Sequence, residues 1–216
     1  MTYTLEARWF GTPPLPAALR DWFDTLASPK TSTRTDLYLP AADPTLNLKL
    51  RGDQVQVKRR LAGPIRTSFG PKAAGCCEQW AKWSFRLSEE ESLPGDEEPT
   101  DQWILVEKTR HQFAIPAGDQ SALTSTLPTS PPATIEAELT EVEADAETAW
   151  TLCVEARGPV SSLVDTLTTA APLLLDDQLP VSLSTDQSFG YIRWLQQLPA
   201  VSTRPAPEVQ ISRPEE

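Results

Sequence analysis

A chain of 216 residues is long enough to bury its own core as one large domain without disulfides. Its 19 Lys and Arg stand against 30 Asp and Glu, and the net charge of −11 argues against the broad basic field that a nucleic-acid or anionic-membrane surface needs. Cys76 and Cys77 are adjacent and Cys153 is alone, a spacing that matches no zinc site, and no apolar run approaches the ~20 residues of a membrane span; a reduced, cytoplasmic protein is expected.

Met1–Glu6 lacks the basic and apolar regions of a signal peptide, and structure is expected from the first residues. Thr2–Phe10 alternates as a strand, with Tyr3, Leu5, Ala7 and Trp9 on one face and Thr4, Glu6 and Arg8 on the other. Leu15–Ala27 places Leu15, Leu19, Trp22, Phe23 and Leu26 at helical spacing, with a proline in its first turn. Strands are expected at Thr33–Leu39, Thr45–Arg51, Gln54–Leu61, Cys77–Leu87, Gln102–Ile115, Thr134–Val142 and Thr148–Arg157, with Gly52-Asp53 as a hairpin turn. Ala62–Gly75, the acidic Ser88–Asp101 and the Ser/Thr/Pro-rich Ser121–Pro132 read as insertions. Val160–Leu174 and Phe189–Leu198 return to helical spacing. Residues 1–198 thus form one domain, and the Pro-rich tail 199–216 is expected to be disordered. The fold class is α+β: an antiparallel barrel of about eight strands with flanking helices.

Lys and Arg recur at every second residue in Asn47–Arg51, Gln56–Arg60, Trp80–Arg86 and Val106–Arg110. Residues two apart in a strand share one face. Leu48, Leu50, Val55, Val57, Ala81, Trp83 and Phe85 take the opposite face, so each strand has an apolar side and a cationic side. Adjacent like charges repel, and a closed sheet would bring Glu6, Glu136, Glu138 and Glu155 opposite the basic strands. Such an interior, cations on one wall and carboxylates on the other, suits a polyphosphate and a divalent metal. The alternative is an open sheet whose charged face meets solvent.

The order of these segments resembles the CYTH superfamily, the triphosphate tunnel metalloenzymes. Its Glu-x-Glu-x-Lys strand is similar to Thr4-Leu5-Glu6-Ala7-Arg8, with Thr4 in place of the first Glu and Arg8 in place of Lys. The family's Arg-x-Arg strand resembles Lys49-Leu50-Arg51, the strand ending in Lys resembles Val55–Lys58, and the Lys-x-Arg strand resembles Lys108-Thr109-Arg110. Glu136-Ala137-Glu138 and Cys153-Val154-Glu155 match its acidic strands, with Cys153 at one carboxylate position, and Ser188–Tyr191 matches its closing Ser-aromatic element.

The resemblance implies a tunnel that recognises triphosphate or an organic phosphate through Arg8, Lys49, Arg51, Lys58, Arg60, Lys82, Lys108 and Arg110. It also implies Mg²⁺ or Mn²⁺ held by Glu6, Glu136, Glu138 and Glu155, as in a metal-dependent hydrolase. Thr4 and Cys153 weaken the metal set, and a non-catalytic phosphate-binding or sensing protein is the alternative. Outside the resemblance, the single His111 reads as structural, and Trp9, Trp22, Trp83 and Trp194 read as core. Trp80 shares the Lys82 face and is available to stack on a ring.

Overall fold

In this computed structural model, residues 1–88, 103–116 and 133–199 are described. Eight strands form the sheet: β1 (Thr2–Gly11), β2 (Lys30–Leu39), β3 (Leu46–Arg51), β4 (Gln54–Ser68), β5 (Ala74–Arg86), β6 (Ile104–Pro116), β7 (Thr134–Ala144) and β8 (Glu147–Arg157). All neighbours are antiparallel, and the order β1-β5-β4-β3-β2-β6-β7-β8 closes on itself through the β1–β8 ladder. Closure leaves none of these eight strands as an open edge that could template aggregation. Two tight hairpins fix the register. Gly52 takes a positive φ between Arg51 and Gln54, which pair directly, and Asp145 and Ala146 both take positive φ between Ala144 and Glu147.

Alternation sorts the side chains. Tyr3, Leu5, Ala7 and Trp9 of β1 point outward, with Ile135, Ala137 and Leu139 of β7 and Leu152, Val154 and Ala156 of β8. Two helices, α1 (Ala17–Leu26) and α2 (Val160–Leu174), join this outer core. Leu19, Trp22 and Phe23 are the buried face of α1; Leu163, Leu167, Ala170, Ala171 and Leu174 are that of α2. Each fully buried Leu or Phe contributes roughly 1.5–3 kcal/mol of apolar burial.

A third helix, α3 (Tyr191–Gln196), lies across one end of the barrel. Trp194 and Leu195, followed by Leu198, pack there with Phe10, Ile104, Val106, Val142, Ala144 and Ala149, residues whose strand positions point inward. Phe10 stacks on Trp194 at 5.4 Å and on Phe189 at 5.1 Å.

Three expectations are corrected. The segment 62–75 is largely strand: β4 runs on to Ser68 and β5 starts at Ala74, with register shifts around Ala62. Gly63 sits in this bulge with φ +96°, and its α-carbon faces the Cys77 carbonyl so closely that a side chain would collide. Second, Leu48, Val55 and Val57 do face outward, but they are only half-buried. Trp83 beside them is half-buried too, not core, and Phe85 is 55% exposed. The cause is connectivity: α2 follows β8 after Gly158-Pro159 and packs on β1, β7 and β8, leaving the β3–β4–β5 flank without comparable cover. Third, the last helix is shorter than expected, beginning at Tyr191. The expected acidic loop, the Ser/Thr/Pro segment and the tail lie almost wholly outside the described residues. No described helix is long and apolar enough to cross a membrane.

Candidate functional site

The inward faces of the strands, with α3 at one end, surround a cavity of about 240 Å³ whose described lining includes eleven Lys and Arg and four carboxylates. All eight cations expected to bind phosphate line it: Arg8 from β1, Lys49 and Arg51 from β3, Lys58 and Arg60 from β4, Lys82 from β5, Lys108 and Arg110 from β6. Glu6, Glu138 and Glu155 line it as well, whereas Glu136 pairs with Arg157 at 2.9 Å beyond the lining. Arg34, Glu78 and Arg157 complete the charged set on the strands, and Tyr38 and Tyr191 add rings.

The charges are interleaved, not divided into a basic wall and an acidic wall. Glu138 accepts from Arg8 at 3.3 Å and from Arg110 Nε at 2.7 Å. Burial would raise its pKa, but Arg8 and Arg110 outweigh that and hold it well below the usual carboxylate range. Lys58 donates to Glu6 at 2.9 Å and lies 3.9 Å from Glu155, which also accepts from Arg157 at 3.2 Å. Arg60 pairs with Glu78. Interleaving follows from the register: Glu6 lies opposite both Glu78 and Glu155, so acidic neighbours share cations from the strands around them.

Sequence reasoning missed Arg34, Glu78 and Arg157 in the lining and, beside them, Asp36 on β2. Its carboxylate is wholly buried and meets four cations: Arg51 Nε on Oδ1 at 2.8 Å, and Lys108 Nζ at 3.0 Å, Arg34 Nε at 3.4 Å and Lys49 Nζ at 3.5 Å on Oδ2. Burial alone would raise the Asp36 pKa, yet Lys108, then Lys49, Arg51 and Arg34, hold it far below the ordinary value. Lys108 also donates to the Tyr38 hydroxyl at 2.7 Å and sits 3.8 Å from the centre of the Tyr191 ring. Burial, partly opposed by Asp36, brings its pKa down to about 7. The signal was present in Arg34-x-Asp36-x-Tyr38, one face of a strand whose position was expected but whose inward face was not assigned.

Lys82 has no carboxylate partner among the described residues, and its pKa is lowered by burial and then by Lys58 and Arg157. Among the described residues, several buried polar atoms of the lining find no hydrogen-bond partner: Arg34 Nε, Trp80 Nε1, Gln56 Oε1 and the Tyr191 hydroxyl. Trp80 stands on the Lys82 face, its ring 6.0 Å from Lys58 Nζ and from the Arg60 guanidinium. Cys153 is buried opposite Arg8, and burial raises its thiol pKa well above the ordinary value.

His111 lies away from the cavity, beneath α1. Arg20 donates to its Nε2 at 2.8 Å, so Nδ1 carries the proton and donates to Thr31 Oγ1 at 3.0 Å. Burial and Arg20 lower its pKa, which fits a neutral structural histidine.

Among the described residues no group of three or more His, Cys, Asp or Glu is arranged to hold a metal ion. Glu6, Glu136, Glu138 and Glu155 each face Lys or Arg, an arrangement that gives Mg²⁺ or Mn²⁺ no ready set of free donors.

No family model matches the chain, and no curated protein matches it. Among solved structures, a conserved hypothetical protein from Pyrococcus furiosus is similar over 88% of this chain and 98% of its own, at 11% identity and a TM-score of 0.45.

Proposed function

We propose that the barrel binds a small polyanion of the phosphate class, with triphosphate as the ligand type, and that it acts as a binding or sensing protein. One observation carries this reading: in a chain of net charge −11, the described lining of one cavity gathers eleven Lys and Arg, against four carboxylates in the lining and two more, Asp36 and Glu136, paired to it from beside. Enclosed cations without counter-charge cost free energy, and a polyanion supplies that counter-charge with charge-assisted hydrogen bonds. The volume lies below the 300–1,000 Å³ usual for drug-sized ligands, favouring a compact anion over one with a large organic part. The carboxylates are engaged by cations, which favours binding over metal-dependent triphosphate hydrolysis.

Calorimetric titration with tripolyphosphate at low ionic strength tests the reading. At a hundredfold excess over Kd, linkage adds about 2.7 kcal/mol, raising the melting temperature by roughly 5–10 °C and less at high salt. Lys82→Ala, which breaks no ion pair among the described residues, weakens binding about tenfold or more by removing a charge-assisted contact. Absence of both heat and thermal shift at millimolar tripolyphosphate refutes the proposal. Phosphate release with Mg²⁺ or Mn²⁺ that disappears in Glu6→Gln would make the protein a hydrolase instead.

A further inference from the structure

The Asp36 cluster holds more positive charge than its carboxylate can neutralise. Arg34, Lys49 and Lys108 all face Oδ2 and Arg51 faces Oδ1. Two of the four are arginines, which keep their protons in any protein environment, so relief of the repulsion falls to the two lysines. Both lysine nitrogens lie against the Tyr38 ring, at 4.7 Å for Lys108 and 5.5 Å for Lys49. The other groups near them add little negative charge. Tyr191 of α3 presents its ring, with Arg8 on it at 4.8 Å, and Arg110 of β6 is matched by Glu138 of β7. Gln56 of β4, across from Lys49, is neutral. Arg34, Lys49, Arg51 and Lys108 all line the cavity, and Arg34 Nε, though 3.4 Å from Asp36 Oδ2, is buried with no hydrogen bond among the described residues.

We propose that the Asp36 cluster is a proton-coupled subsite for one tetrahedral dianion, a phosphoryl group of the ligand, which enters together with a proton taken up by the Lys49–Lys108 pair. The inference rests on the polyanion reading above and adds its regulation: affinity rises as pH falls through neutrality. The direction follows from linkage. Without the anion, burial and neighbouring cations favour a neutral amine, Lys49 lying well below its ordinary pKa and Lys108 near 7. A dianion beside the pair restores the ammonium form, so the complex holds more protons than the free protein.

The experiment is calorimetry of the full chain at pH 7.5 in buffers of differing ionisation enthalpy. Sulfate is the probe, because it does not titrate near neutrality and any proton taken up goes to the protein. Tripolyphosphate serves as competitor. The expected result is net uptake of between roughly half a proton and one proton per sulfate, sulfate displaced by tripolyphosphate, and uptake reduced in both Lys108→Arg and Lys49→Arg. Either variant that folds by circular dichroism suffices, and wild-type uptake decides the matter if neither does. Sulfate binding with zero proton uptake, uptake unchanged in a folded variant, or tripolyphosphate binding that sulfate cannot compete with would each overturn the subsite while leaving polyanion binding intact. Binding of neither anion would overturn both.

Discussion

Asp36 organises the cavity from a fully buried position, and its removal tests how much of the fold rests on one carboxylate. Asp36→Asn leaves Arg34, Lys49, Arg51 and Lys108 without their counter-ion, and loss of one partner of a buried pair costs about 3–5 kcal/mol. Urea unfolding at pH 7 reads this directly, and a change below about 1 kcal/mol would contradict the account. The pH dependence has a definite sign. Because the Asp36 pKa is lowered on folding, its stabilisation is complete above the unfolded value near 4 and fades as pH falls below it. Wild type therefore loses stability from about pH 4 downward, and the Asn variant loses less over the same range. The pattern that revealed Lys49, Arg51, Lys108 and Arg110 was repetition of like charge. Asp36 escaped notice because Arg34-x-Asp36-x-Tyr38 alternates without repeating one sign of charge.

At the scale of elements, the strands were legible where period-two alternation sets a charged inward side against an apolar outward side, as in β1, β3, β7 and β8, and eight antiparallel strands close into the barrel. The 62–75 segment was not legible. Gly63 and Pro64 punctuate it as a loop would, while the β4–β5 ladder absorbs them as a bulge. The role of α3 was equally hidden, since helical spacing identifies an apolar face but not the surface that receives it. A six-residue helix has almost no stability alone, so packing inside the barrel end must hold it. Leu195 is fully buried there, and Leu195→Ala is expected to cost about 2–5 kcal/mol. Because Tyr191 on the same helix covers Lys108, tripolyphosphate affinity should fall as well. Denaturation midpoints together with titration check both effects, and a variant stable and binding as wild type would show that α3 is an ornament of the barrel end.

For the whole molecule, the decisive property is the segregation of charge: an acidic chain keeps many of its cations inside. Long polyanions such as nucleic acids meet a net negative molecule, while a small anion that enters the barrel meets surplus positive charge. The half-covered β3–β4–β5 flank has a consequence in time as well as in space. Its strands have the charged cavity on one side and half-exposed Leu48, Val55, Val57 and Trp83 on the other, whereas β1 and β8 lie under α2. Amide protons of β3 and β4 should accordingly exchange with solvent faster than those of β1 and β8, because fewer apolar contacts oppose local opening. An anion gripping Lys49, Lys58 and Lys82 would tie three adjacent strands together. Hydrogen exchange followed by mass spectrometry should then show protection rising most in this flank when tripolyphosphate is added; uniform protection around the barrel would contradict that picture. The wall that the helices cover least is thus the part of the barrel whose breathing the ligand controls.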